Sequence, residues 1–440
     1  EATALGVPSL PIVKIPVGRG LAADRSLPIG PDRADAALEE IIHILTTPAE
    51  KLVKEYRGKY PVDEIEQELF RPKTIFALET VKAPGSVEAA SDIFYRRGWT
   101  DGLPIVPPTR ESVERMLAYT DREPGDLIGL VSPRRGRATV EKIAVNAVMA
   151  GCMPEYFPVV VAAIQAMVDP KFNVYALQGT TNPIAPLTIV NGPIARELDI
   201  NCRFNAFGQG WKSNATIGRA VRLVMMNIGG GTPGTADKAI QGQPGKYSFC
   251  AAENEEESPW EPLHVERGLS PTTSAVTMAG VCGTLNIIAS GHGGTSAKGI
   301  LSVIASSMVI IGCNNLCYAG EPVVALNPGH ARIFANNGFS KDDVKRFLYD
   351  NARVPVSRIP PEGIPHFSHR RPKHDWNVMD ARIPLAERWE DIVVLVVGAA
   401  GGHATFLPTF GEPIRSVTVP LCLKDGTPAK SVNDFKKKRR

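Results

Sequence analysis

Apolar residues recur at every third and fourth position through VEKIAVNAVMA (residues 140–150) and PVVVAAIQAMV (158–168), the repeat of a helix with one face in a core. The same spacing predicts helices from Ser86 to a stop at Gly98, from Arg110, and over 297–311, 329–336 and 341–351. Short apolar runs between them predict strands at 187–190, 285–289 and 323–326, and a wholly apolar one at 392–397. Strand alternating with helix argues for an α/β fold, with mixed sheets, helices packed on them and more than one core. Towards the N-terminus, 10–15 reads as a short buried strand and 32–45 as a helix. The chain then divides into an end piece of a small α/β domain (1–50), a helical connector (51–85), and the two halves of a large domain (86–270 and 271–440).

Composition narrows the class. A chain of 440 residues with 43% hydrophobic and 22% charged residues can bury more than one core. The formal charge is +3, and the last five residues are all basic. The remainder therefore carries no general field for nucleic acid. The apolar runs are too short or too broken to span a bilayer, so no membrane contact is expected. Seven scattered cysteines lack the dense spacing of a disulfide scaffold and point to a reducing, cytoplasmic setting. The opening EATALGVPSLPIVKIPVG begins in mid-fold, as an arbitrary boundary or a processed subunit would.

Three places carry candidate chemistry. In FNAFGQGWKSNATIGRAVRL, Gly208 and Gly210 permit a tight turn, Ser213 or Asn214 can cap, and a helix follows. Its free amides, with Asn205, Lys212, Asn214 and Arg219, would favour a substrate carboxylate or phosphate; a well-capped structural helix is the other reading. Nucleotide motifs fail here, because Ser213 stands where a dinucleotide fingerprint has its third glycine and Ile240 where a P-loop has its first. The second place is a pair of glycine-rich turns after strands, SGHGGTS (290–296) and GAAGGHATF (398–406). Strand ends of this kind collect ligands in open sheets. His292 and His403 are candidate general acids or bases there, with Gly293, Gly294 and Thr295 contacting substrate.

The third is AENEEESPWEPLHVERG (251–268). Carboxylates this crowded repel unless solvent, a cation or a proton intervenes, so the stretch is either a wet loop or a site. Glu253, Glu256 and His264 supply enough donors for a divalent metal ion. Tyr247, Phe249, Cys250 and Trp260 add apolar bulk that would raise a carboxyl pKa. The cofactor is otherwise unknown. HFSHRRPKHD (366–375) resembles a metal cluster, but its basic residues repel a cation and favour an exposed arm at a subunit contact. CNNLC (313–317) reads as buried thiols.

GWTDGLPIVPPT, ATVEKIAVNAVMAGCMPEY, TTNPIAPLTIVNGP, SNATIGRAVRLVMMNIGG, GQPGKYSFCAAENEEESPWEPLHVERG and SKDDVKRFLYDNARVP together resemble the large domain found alongside, or fused to, the UGSC family of thiol or selenol proteins. The opening segment resembles the carboxyl-terminal end of the small UGSC domain. The family's Cys-Gly-Ser-Cys does not occur here, so the resemblance implies a thiol or selenol supplied from upstream. The function expected is then an enzyme subunit, oxidoreductase or lyase, that cleaves a carbon–heteroatom bond of a small acidic substrate. Glu253, Glu256, His264 and His292 are its catalytic candidates, in a homo-oligomer. A metal-dependent hydrolase or hydratase, and a noncatalytic partner-binding scaffold, are the alternatives.

Overall fold

The computed structural model describes residues 85–290 and 296–436. The expected end piece at 1–50, the connector up to residue 84, and His292, Gly293, Gly294 and Thr295 lie outside these residues, as does the basic tail beyond Lys436. The described residues belong to one compact unit, Leu78–Arg440.

Local sequence starts and stops the helices where the caps stand. Helix α1 (Val87–Arg96) opens on Ser86, α2 (Arg110–Leu117) on Thr109, and α3 (Val140–Ala150) on Thr139, each hydroxyl accepting a first-turn N–H. Gly151, at φ 88°, ends α3 in the left-handed region that suits glycine. Helices α4 (Phe157–Val168) and α5 (Lys212–Asn227) follow. Ser296 caps α6 (Ala297–Met308), Asn327 caps α7 (Pro328–Asn336), and Ser340 with Asp343 forms a capping box on α8 (Lys341–Asn351).

A hairpin of β1 (Leu127–Val131) and β2 (Gly136–Thr139) precedes α3. Strands β3 (Ala185–Asn191), β4 (Cys250–Ala252), β5 (Ala275–Val281) and β12 (Val417–Pro420) form the first sheet, in the order β12-β5-β3-β4. β3 runs parallel to β4 and antiparallel to β5. The second sheet joins β6 (Leu285–Ile288), β7 (Val323–Leu326), β10 (Val393–Val396) and β11 (His403–Leu407) in the order β10-β7-β11-β6, with β7 and β10 parallel. A small ribbon of β8 (Arg353–Pro355) and β9 (Arg382–Pro384) stands apart.

Period-two alternation stacks these into four layers. Leu187 and Ile189 of β3 pack with Val323, Ala325, Val393 and Leu395 of the second sheet, so the sheets meet face to face. Their neighbours Val190, Val276 and Met278 turn the other way, onto α3, α4 and α5. Val324, Leu326 and Val394 turn onto α6, α7 and α8. Each such aliphatic side chain contributes about 1.5–3 kcal/mol on leaving water.

Two expectations are revised. Strands β5 and β12 come from the second half of the chain yet complete the first sheet, so the boundary expected at 270 separates no two cores. The expected exposed basic arm is half interior, because Arg371 and Trp376 are 4% and 3% exposed. Arg370 lies over the Tyr318 ring, 5.3 Å from its centroid. Apolar bulk beside Arg371 draws the segment into the second core.

Candidate functional site

The parallel pairs β3/β4 and β7/β10 end on the same side of the stack, and Asn254 joins them. Its N–H donates to Val396 O at 2.7 Å, and its Nδ2 to Gly398 O at 3.2 Å. Carboxyl ends of strands are where α/β sheets gather ligands. Gly192, at φ 87°, turns the chain sharply after β3, and a Cβ there would meet Ser274 Cα at 2.6 Å.

The acidic stretch divides at this point. Glu253 is 4% exposed, and its Oε2 accepts from Asn191 Nδ2 and from Leu263 N, both at 2.8 Å. Burial pushes its carboxyl above the ordinary range, against Lys341 and those hydrogen bonds. Glu255 Oε1 accepts from the same Asn191 Nδ2 at 2.9 Å and from Gly192 N at 2.7 Å. His264, with 0% exposure, places Nδ1 3.7 Å from that oxygen. Four buried polar atoms of this group have no partner: Asn191 Oδ1, Glu253 Oε1, and Nδ1 and Nε2 of His264. Native interiors leave few such atoms, and each costs free energy.

Glu256 and Glu257 turn outward to arginines. Arg203 Nη2 lies 2.8 Å from Glu256 Oε2, Arg332 Nη1 lies 3.4 Å from Glu257 Oε2, and Arg196 Nη1 lies 3.5 Å from Glu255 Oε2. These three guanidiniums offset the charge of Glu255, Glu256 and Glu257. Glu253, Glu256 and His264 therefore do not converge as the expected metal set. Among the described residues no three His, Cys, Asp or Glu side chains do. Glu266, on the helical turn Leu263–Glu266, pairs with Lys341 at 2.8 Å and with Lys345, anchoring the segment to α8.

Ala289 N donates to Gly402 O at 2.8 Å, so the end of β6 lies against GAAGG. His403 is exposed, with Nδ1 3.1 Å from Asn286 Oδ1. His330, which sequence reasoning passed over, is 1% exposed and its Nε2–H donates to Ala289 O at 2.7 Å. Burial holds it below the ordinary imidazole range. Asn327, accepting from His330 N and Gly401 N and donating to His403 O, binds the 398–406 turn to α7. The Asn-Pro-Gly-His start of α7 was the signal available for this pair.

The start of α5 is more occupied than an anion cradle requires. Asn214 accepts from Asn201 N and donates to Asn201 O, Ala206 O and Cys250 O, so it braces β4. Arg219 grips Asp101 through Nε and Nη2, both at 2.8 Å. Asn205, at φ 58°, donates to Gln209 O and packs on Gly208, while Gly210 turns at φ 122°. Trp211 is the N-cap, and Ser213 donates to Asp199 O instead of capping. Lys212 rests 3.4 Å from Met153 Sδ.

All seven cysteines are free. Burial raises every thiol, Cys152 to about 12 and Cys313 to about 11, and Cys202, Cys250, Cys282, Cys317 and Cys422 in the same direction. None is an activated thiolate. Among the described residues no helix is long and apolar enough to cross a membrane. The chain matches no protein-family model and no curated protein. Its likeness to the UGSC group thus stands on the segments quoted above alone.

Proposed function

We propose that this chain is an enzyme subunit that transfers a proton to a small anionic substrate at the joined ends of its sheets. The observation that carries the reading is the set of four unpartnered buried atoms around Glu253 and His264. A carboxyl raised by burial keeps its proton nearer neutrality, as a general acid requires. Arg196, Arg203 and Arg332, half exposed at the rim, can exchange a glutamate for a substrate carboxylate at small cost. The reaction is cleavage of a carbon–heteroatom bond, lyase-type or redox. In the redox form a thiolate or selenolate bonds to carbon while the heteroatom leaves with the bonding pair and takes the Glu253 proton; a second thiol then bonds to that sulfur or selenium, the carbon leaves with the bonding pair and takes up the second thiol's proton, and the two chalcogens are left oxidised as a disulfide or selenenylsulfide. The raised thiols of this chain support a nucleophile from an upstream UGSC-type segment.

The test is leaving-group release from a panel of small halo- and amino-carboxylates, by the chain with that segment or with added thiol. Glu253→Gln is expected to lose about 10²–10⁴-fold in rate with a melting temperature no lower than that of wild type. Turnover near wild type in this variant would remove Glu253 from the chemistry.

A further inference from the structure

Three basic side chains and two carboxylates pack together where α5 meets the glycine-rich segment 229–247, and they do not balance. Arg219 is matched by Asp101 through two contacts of 2.8 Å. Lys246 Nζ is matched by Asp237, at 2.9 Å from Oδ1 and 2.7 Å from Oδ2. Arg222 is left over. Its Nε donates to Lys246 O at 2.6 Å, its Nη1 stands 3.9 Å from Asp237 Oδ2, and its Nη2 has no partner.

The residue is 4% exposed, so water does not supply the missing acceptor freely. Asp237 leans on Lys246, which leaves the guanidinium fork short of negative charge. Burial pushes Arg222 down to about 10, against the pull of Asp237 and Asp101. A buried charge that has only a distant share of a counter-charge is costly, and a planar fork with an unpartnered Nη2 matches the oxygens of a carboxylate or phosphate. Lys246 and Arg219, with side chains 16% and 14% exposed, are where this set touches solvent, and the exposed residues 233–235 flank it.

We propose that Arg222, with Lys246 on its outer side, forms a binding site for a small oxyanion, separate from the Glu253 site. The anion's oxygens take Nη1 and Nη2 of Arg222, and its charge balances the third cation. The site does not depend on the reading given for Glu253, and either can fail alone.

Isothermal titration of the full chain at constant ionic strength, with inorganic phosphate and separately with acetate, tests it. Saturable binding of one phosphate, of acetate, or of both is expected, and tells which oxyanion class the site takes. Arg222→Gln should bind about ten- to hundred-fold more weakly, as loss of a charged hydrogen-bond partner implies. Arg115→Gln, an equal charge change on the exposed face of α2, should leave affinity unchanged. Failure of wild type to bind either anion, or equal effects of the two substitutions, would overturn the proposal. Should Arg222→Gln not fold, Lys246→Gln decides: weakened binding supports the site, and wild-type affinity refutes it.

Discussion

Two clusters each combine a histidine with a glutamate, and they are finished differently. Around buried Arg371 every guanidinium nitrogen is used: Nε donates to Glu387 Oε1 at 2.8 Å, Nη1 to Leu316 O and Pro384 O, and Nη2 stands 2.9 Å from His374 Nε2. Burial and Arg371 hold His374 below the ordinary imidazole range, and its Nε2 also lies 3.2 Å from Glu387 Oε2. Around Glu253 four atoms remain unpaired. A satisfied network locks a core, whereas an unsatisfied one holds a cost that a ligand can relieve. The contrast supports a structural role for the first and the proposed chemistry for the second.

The largest effect should come from breaking the finished cluster. Arg371→Ala strips four hydrogen bonds and leaves Glu387 without its guanidinium, and should destabilise the fold by about 3–5 kcal/mol, read by urea denaturation. A smaller loss would mean that the network is not what holds the 366–376 segment in the core.

Next comes pH. The folded Glu253 carboxyl lies above its ordinary 4.5, so the native state keeps a proton that the unfolded chain gives up. Its contribution to stability is present at acid pH and is lost as pH rises from about 4.5 through the folded value. Glu253→Gln copies the protonated form and removes this slope. Urea midpoints of wild type and variant should agree best below about pH 4.5 and diverge as pH rises above it, in favour of the variant. Parallel curves would mean an ordinary carboxylate.

His264→Leu removes a ring that makes no hydrogen bond, so stability should change by no more than about 1 kcal/mol. A loss as large as that of Arg371→Ala would erase the distinction between the clusters. The smallest effect belongs to Glu256→Gln, whose partner Arg203 is exposed. No measurable shift of the denaturation midpoint is expected, and a clear shift would mean that the rim pairs do more than cover the acids.

Much of the fold was legible because periodicity and caps are local. Helix α3 begins after Thr139 and ends before Gly151 as its pattern predicts, and β7 and α8 match residue for residue. β4 and β5 escaped notice for a physical reason: CAA and AVTMAGV are small and apolar, buried on both faces, and so lack alternation. In the acidic stretch Glu253 and His264 stood out by composition and neighbours. Asn191, which holds Glu253 and Glu255 together, gave no signal because it lies on another strand.

By itself, then, the sequence determined the main helices, the four strands with the plainest apolar runs, most of the ends of these, and the presence of a charged stretch amid apolar bulk, since these depend on residues a few positions apart. Tertiary structure alone decided that the first sheet borrows β5 and β12, that Glu253 turns inward while Glu256 meets Arg203, and that Arg222 Nη2 is left without an acceptor. Those outcomes depend on which strand or loop arrives beside a side chain, and on whether it brings a donor, a charge or neither.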